Sequence, residues 1–522
     1  MEESVAQVAA LRETLDRTLA AHAAERREAR AAQQELLAQI ATLSEQVARA
    51  NDRISELLAI AQRKKRPEKK NEPKAKPPPP DLPDDVREAF ENRPRPPVVP
   101  DKPKKLKSEA KPTGRQPLPP HLGKEEHALS PDRCTCGCTA FDFVDEVVEE
   151  KLTVVKEHQR RRVVRRKTGR CRHCRKRTTA RSLPAPFPRS KVTCEWMAWL
   201  VVQKFVQLTP LDRVRDLLHL QGIPLSMSFL VSQVQRAAGL LDAIDGVHWA
   251  QLLAGDWMTH DATPLAVVVD GVPGTHKGHI EVFQRSGLVV LQYEHDKKGE
   301  TLATKLRRFK GTLVADAEHR HNATFADGTI LEAGCNAHGE RKLEAAESSQ
   351  PVLAAEGRTY IRAIFAADAE AHRLKLEGPE LLAWRKERIA PLYEEFAAWR
   401  DSVLPTLLPD EPLAGVLRYY QNHWTALTRW VGDPKLPPDN SASERVFQRV
   451  AKLRLACLFA GSTEGAHTLA VLMGLSATCR NIGVDPQAWF TWALERRGTH
   501  ADVYGMQAHQ LTPAAYKATL TA

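Results

Sequence analysis

The hydrophobic period changes several times along the 522 residues of this chain, and each change predicts a different kind of element. Over residues 1–62, Leu15, Ala29, Leu36, Leu43, Ala50 and Leu57 share one heptad position, and Ile40, Val47 and Ile54 share the other. That seam predicts a coiled-coil helix and, through it, a homo-oligomer. His22, Arg26 and Gln33 interrupt it, so it is best formed from Leu36 onward. Residues 63–120 run through RKKRPEKKNEPKAKPPPP and further Pro and Lys. A stretch so poor in apolar side chains cannot build a core, and its prolines hold it extended, which predicts a linker.

Between 121 and 182 the pattern turns to β-branched pairs among charges: Val147 and Val148, Val154 and Val155, Val163 and Val164. Residues 143–168 therefore read as hairpin strands. Helical spacing returns over 183–250, in CEWMAWLVVQKFVQLTPLDRVRDLLHL and SMSFLVSQVQRAAGLLDAI, separated by Gly222-Ile-Pro224. The second helix opens at Ser226 or Ser228, and the pair has the outline of a helix-turn-helix.

Residues 251–480 begin with strands: WMTHDATPLAVVVDG, then two runs in GHIEVFQRSGLVVLQYEHD. A short helix (TLATKLRRF), a strand ending at Asp316 (GTLVADA) and a strand leading into a helix (LEAGCNAHGERKLEAA) follow. This order predicts a mixed α/β sheet, and the whole chain a multidomain α/β protein. Apolar and aromatic residues at helical spacing make 345–436 a helical insertion, and 481–522 a helical tail.

The stretch Pro437–Gly465, PPDNSASERVFQRVAKLRLACLFAGSTEG, follows the insertion. On a helix Val446, Val450 and Leu453 share one face, while Arg445, Arg449 and Lys452 share another suited to phosphate. Glu444 lies at the start of this helix. Ser441-Ala-Ser-Glu444 also fits a capping box, in which Glu444 would satisfy backbone N–H groups instead of doing chemistry.

Charge narrows the partners. Lys and Arg outnumber Asp and Glu, 76 to 65, for a net charge of +11, which predicts a polyanionic partner, nucleic acid first. No run of eighteen apolar residues predicts a membrane span, and the N-terminus lacks the basic-then-apolar order of a secretory signal; a cytoplasmic location is expected. Five of the nine cysteines form two knots, Cys134-Thr-Cys136-Gly-Cys138 and Cys171-Arg-His-Cys174. Four thiolates from Cys134, Cys136, Cys138, Cys171 and Cys174 predict a zinc-ribbon-like DNA-binding domain over 121–182, with structural Zn²⁺. Arg160, Arg161, Arg162, Arg165, Arg166 and Lys167 form a single-signed run there, which predicts phosphate contacts.

Asp261, Asp316 and Glu444 are the candidate chemistry. Three carboxylates over one sheet edge can hold two Mg²⁺ ions about 4 Å apart, one activating a water or 3′-OH and the other stabilising the leaving oxygen. The Gly271–Gly278 segment GVPGTHKG lacks the Gly-Lys-Ser/Thr ending of a phosphate loop.

The order of motifs resembles the IS66 insertion-sequence transposases. GRQPLPPHL, both cysteine knots, DATP at Asp261–Pro264, LVAD at Leu313–Asp316, GCNAH at Gly334–His338, DNSASER at Asp439–Arg445, LFAGS with EGAH, and GVDP at Gly483–Pro486 carry the resemblance. It implies an RNase H-like catalytic core whose DDE triad maps to Asp261, Asp316 and Glu444. It also implies Mg²⁺-dependent cleavage of transposon terminal repeats, transfer into target DNA, and accessory proteins of the same element. The chain departs from the family at Ala262, at AEHRHN after Asp316, and at Arg454-Leu455-Ala456 before LFAGS. A transposase-derived DNA-binding regulator without catalysis, or a metal-dependent nuclease that cuts without joining, would use the same residues differently.

Overall fold

The computed structural model describes residues 83–97, 159, 162–165, 168–170, 177–179 and 181–521. The coiled coil of 1–62 and all five knot cysteines, Cys134, Cys136, Cys138, Cys171 and Cys174, lie outside the described residues, as do Arg160, Arg161, Arg166 and Lys167.

The linker expectation for 63–120 needs one correction. Asp84–Glu91 forms a helix, α1, with two acidic residues in its first turn, where the helix dipole favours them. Its Phe90 is buried among the insertion helices, and the Arg93 guanidinium bonds both oxygens of Glu356 at 3.1 Å. One aromatic and one paired arginine suffice to dock this segment. Two short strands, β1 (Thr168–Arg170) and β2 (Arg177–Thr179), pair antiparallel on either side of the second knot; the described residues 162–165 of the expected hairpin are not in a strand.

Helix α2 (Cys194–Val201) continues into a widened turn over Val202–Val206, then α3 (Leu211–Leu220) and the long α4 (Met227–Leu253) follow. Ser226 caps α4 by accepting the Phe229 N–H at 3.2 Å. Leu230, Val234, Leu241 and Ile244 of α4 are buried against the central sheet and its neighbouring helices. Most of α4, from its first turn onward, is therefore core.

Five strands follow the expected order: β3 (Trp257–Val267), β4 (His276–Arg285), β5 (Leu288–Glu294), β6 (Thr312–Ala315) and β7 (Leu331–Gly334). In space they run β5-β4-β3-β6-β7. The first three form an antiparallel meander, and β6 and β7 add in parallel on the other side of β3. The β4–β5 turn is the pair Ser286-Gly287, both at positive φ (49° and 88°), which matches the twist of a tight hairpin. Helix α5 (Gly299–Leu306) crosses from β5 to β6, packing Leu302 and Leu306 on Met258, Phe283, Val290 and Leu313. The opposite sheet face packs on α4 and on α11 (introduced below), so β4 is buried on both faces from Gly278 to Gln284.

After β7 come α6 (Asn336–Ala346) and the insertion, with α7 (Pro351–Arg373), α8 (Ala390–Val403) and α9 (Pro412–Asn422) around Tyr360, Tyr393, Phe396, Trp399 and Trp430. Arg385 closes this unit. Its guanidinium lies 4.6 Å from the Trp430 ring centre, bonds Asp368, and takes the carbonyls of Trp430, Asp433 and Leu436 at 2.8, 2.9 and 3.1 Å. Every donor of a buried cation needs such a partner. The chain then forms α10 (Ser441–Cys457), α11 (Thr463–Asn481) and α12 (Pro486–Arg497). Trp489, Phe490 and Leu494 pack with α2, which makes the expected tail part of the main core. Among the described residues no helix is long and apolar enough to cross a membrane.

Asp245 is one of the buried polar groups that this packing leaves unpaired. It lies on α4 beside Gly474 of α11, and its buried Oδ1 has no hydrogen-bond partner among the described residues. Burial, with the nearby Asp242, pushes its carboxyl up to about 8 from the usual 3.8. A carboxyl neutral in the folded state and ionised in the unfolded one withdraws stability as pH rises from about 4 to about 8. Asp245→Asn should therefore match the parent near pH 4 and exceed it increasingly toward pH 8. The gap should widen by up to ~1.4 kcal/mol per pH unit, read by urea unfolding.

Candidate active site

Strand β6 pairs with β3 only over Trp257–Thr259. Beyond that point one edge of β3 is free of strand partners, and Asp261 stands on this portion. Asp316 follows directly on β6, so adjacent parallel strands bring the two aspartates to one end of the sheet. Glu444 arrives in the first turn of α10. The three are electrostatic neighbours: the Asp261 carboxyl is pushed up to about 6, by burial first and then by Asp316 and Glu444, against the Ala262 N–H that it accepts at 2.7 Å.

The start of α10 is held by a knot of buried polar bonds that the motifs GCNAH and DNSASER supply together. The Asn336 backbone N–H and side-chain amide both donate to the Pro438 carbonyl, at 3.2 and 3.0 Å, and the same amide reaches the Leu427 carbonyl. The Tyr393 hydroxyl donates to Asn336 Oδ1 at 2.9 Å. Asn440 donates its backbone N–H to Cys335 Sγ and its side-chain amide to the His260 carbonyl at 3.0 Å, while Thr259 and Ser443 share a hydroxyl bond at 2.8 Å. These bonds tie the helix to the free edge of β3. Cys335 is thereby engaged in backbone support.

The capping-box alternative for Glu444 is not realised. Asn440 is the N-cap residue and makes no side-chain cap, because its amide is turned to His260. Glu444 instead points outward to an ion pair with Arg341 of α6, and His338 Nε2 lies 3.9 Å away. Of the basic residues on α10, Arg445 and Lys452 are exposed. Arg449 is half-buried and donates to the Val206 carbonyl, one that the widened turn after α2 leaves available. In the basic run Arg162 pairs with Glu195 at 3.0 Å and Arg165 is exposed.

Behind the aspartates lies a buried polar chain whose directions can be assigned. Arg320 carries only donors, so its bond to His260 Nε2 at 3.0 Å makes that nitrogen the acceptor. A neutral His260 then donates from Nδ1 to His321 Nε2 at 3.1 Å, and His321 Nδ1 donates to the Glu318 carbonyl at 3.2 Å. Burial keeps both imidazoles neutral: it lowers His260, and with His260 and Arg320 it lowers His321 to about 2. Glu281, 1% exposed, anchors the far end through Arg320 at 2.9 Å and Lys305 at 2.6 Å. Burial alone would raise its carboxyl, but the neighbouring cation Lys305 outweighs it and the group is held below the usual carboxylate range.

The profile described as the Transposase IS66 family matches residues 189–468, more than half of the chain, and includes all three carboxylates. The chain belongs to the IS66 transposase family. Two uncharacterized proteins of Sinorhizobium fredii (strain NBRC 101917 / NGR234) are similar to this IS66-family chain. The protein y4hP is 25% identical over 417 residues, 74% of either chain. The protein y4jD is 24% identical over 405 residues, 73% of this chain and 78% of its own.

DDE-type members of a transposase family imply a divalent metal. Among the described residues no three His, Cys, Asp or Glu side chains are grouped closely enough to enclose an ion. The donor chemistry nevertheless suits Mg²⁺, which binds through one or two carboxylates with water and phosphate completing its shell.

Arg341 and the His260–His321–Glu281–Arg320 chain were not singled out by sequence reasoning as site residues. The signals for the chain existed: a lone Glu281 inside the apolar run GHIEVFQ, and AEHRHN standing where the family carries other residues. Asn336→Ala should cost about 1–3 kcal/mol, the scale of buried groups left unpaired, with an unchanged urea m-value.

Proposed function

We propose that this IS66-family protein is a DDE transposase that binds transposon terminal repeats, cleaves them and transfers the ends into target DNA. The observation that carries this is the placement of Asp261, Asp316 and Glu444, which three separate elements, β3, the end of β6 and the first turn of α10, deliver to one end of the sheet. The strand order β5-β4-β3-β6-β7, antiparallel on one side of β3 and parallel on the other, supports an RNase H-like core.

Asp261, Asp316 and Glu444 would together hold Mg²⁺ ions. When bound, these ions supply activation of a water or 3′-OH and charge stabilisation of the leaving oxygen in an in-line displacement. The residues of the chain do the positioning. The neutral imidazole pair and Glu281 form a preformed wall behind the aspartates that needs no rearrangement as charge develops. Arg341 satisfies Glu444 until metal takes its place, and the exposed Arg445 and Lys452 offer phosphate contacts along α10. The zinc-ribbon cysteines, the basic run and the coiled coil complete the proposal as end-binding and pairing devices, since joining two ends requires at least two active sites.

Incubating the protein with Mg²⁺ and labelled terminal-repeat DNA separates the readings by product: none for a regulator, cut ends for a nuclease, joined DNA for a transposase. Asp261→Asn and Glu444→Gln should each lower cleavage by about three orders of magnitude, ~4 kcal/mol of barrier, while DNA binding persists. Cleavage at the parental rate by either variant would refute the assignment. Arg341→Ala should tighten Mn²⁺ binding without DNA by a few-fold, the ~0.5–1 kcal/mol of an exposed ion pair, read by calorimetry.

A further inference from the structure

Helix α10 does not end in an ordinary cap. Leu458 takes φ 63° and ψ −52°, and the Phe459 N–H bonds the Cys457 carbonyl at 2.7 Å, closing a three-residue γ-turn of the rare, strained hand. A leucine is held there because both flanks are pinned. The Leu458 N–H stays bonded to Arg454, and Ala460 enters a ladder with β3 through Ala266 and Val268 at 2.9 Å each. Ser462 then caps α11 by accepting the Gly465 N–H. Strain of this kind persists only where the surroundings over-determine it, and it collects at working sites.

The turn aims its side chains outward. Leu458 is 69% exposed and Phe459 47%, with Leu455 of the preceding turn at 82%. Beneath them opens a largely apolar cavity of about 280 Å³, lined by Phe205, Val234, Leu265, Leu453 and Phe459, with Lys204 and Arg454 as its cations. That volume is at the small end of ligand pockets, about 300–1,000 Å³, enough for one planar base and not for a duplex. Asp261, Thr263 and Leu265 lie on one face of β3, so a single strand face leads from the carboxylates to this cavity. Arg454 bridges the two, donating to Thr263 Oγ1 at 3.2 Å and to the Pro264 carbonyl. Four residues of strand span roughly 13 Å, about four stacked base steps.

We propose that Leu458 and Phe459 form a wedge that enters the base stack of the DNA end, and that the adjoining cavity receives the base so displaced. The inference rests on the reading of the chain as a DNA transposase. Apolar side chains inserted between base steps unstack them, and an aromatic face then holds the exposed base without regard to its identity. Lys204 and Arg454 supply the charge that a nucleotide requires and an apolar protein segment does not. The displaced base lies within about four nucleotides of the cleaved phosphate.

The test uses the full-length protein and terminal-repeat DNA carrying, one position at a time, a fluorescent adenine analogue that brightens on unstacking. Affinity is read separately by anisotropy. One position near the cut should brighten several-fold on binding. Phe459→Ala and Leu458→Gly should abolish that signal and lower cleavage about tenfold, the scale of one lost base–aromatic contact, with affinity held within about threefold. Leu458→Gly relieves the positive φ, so its melting temperature should equal or exceed the parent's, which excludes misfolding as the cause. If DNA is bound and cut while no position brightens, or both variants brighten as the parent does, the wedge is overturned and the transposase reading stands. A change in self-association by light scattering without loss of brightening would assign the tip to a second copy of the chain instead. Terminal DNA neither bound nor cut would overturn both.

Discussion

Two fully buried asparagines, Asn336 and Asn440, decide where Glu444 stands. The chain leaves the sheet after β7, builds the helical insertion, and must return a glutamate to within electrostatic reach of two aspartates it left far behind in sequence. Side-chain amides suit this task because their N–H donors reach backbone carbonyls that no strand or helix satisfies there. Asn336 fixes the returning Pro438, and Asn440 fixes the helix to the His260 carbonyl on the free edge of β3. With no strand partner beyond Thr259, that edge would otherwise expose unpaired backbone; α10 and its trailing Ala460 cover it from both ends.

The electrostatics follow from that placement. Three carboxylates on converging elements repel one another, and the fold answers in two ways. In front, Arg341 takes Glu444 in a solvent-accessible ion pair. Behind, the chain from Arg320 through His260 and His321 is buried, neutral in its imidazoles and fixed in its tautomers, so it lends orientation without adding another movable charge. The insertion keeps its own balance: Arg385, 1% exposed, spends its donors on the carbonyls that lead back to α10.

Much of this was legible in the sequence because it follows local periodicity. The five strands and α10's buried face of Val446, Val450 and Leu453 stand where the alternation and helical spacing put them. The three carboxylates are proposed through the order of motifs, since aspartates alone are too common to carry an assignment. What escaped was long-range. Nothing local distinguishes the capping role of Glu444 from its pairing with Arg341, because the choice is made by Asn440 turning to a carbonyl 180 residues earlier. The His260–His321 contact likewise joins β3 to a turn after β6, and Arg449, which looked free for phosphate, is drawn to Val206 by an irregular helix turn. The segment at Asp84–Glu91 escaped for the opposite reason: its composition reads as linker, and one phenylalanine settles its position.

That docked segment makes the helical insertion something other than a removable module. Phe90 sits in the insertion's aromatic core, and Glu356 of α7 serves Arg93, Arg95 and the Trp399 indole N–H at once. An excised insertion would strand a phenylalanine in water and two arginines without their anion. Length in this part of the protein is therefore constrained from two directions, by the return of Glu444 to the sheet and by the attachment of what precedes it.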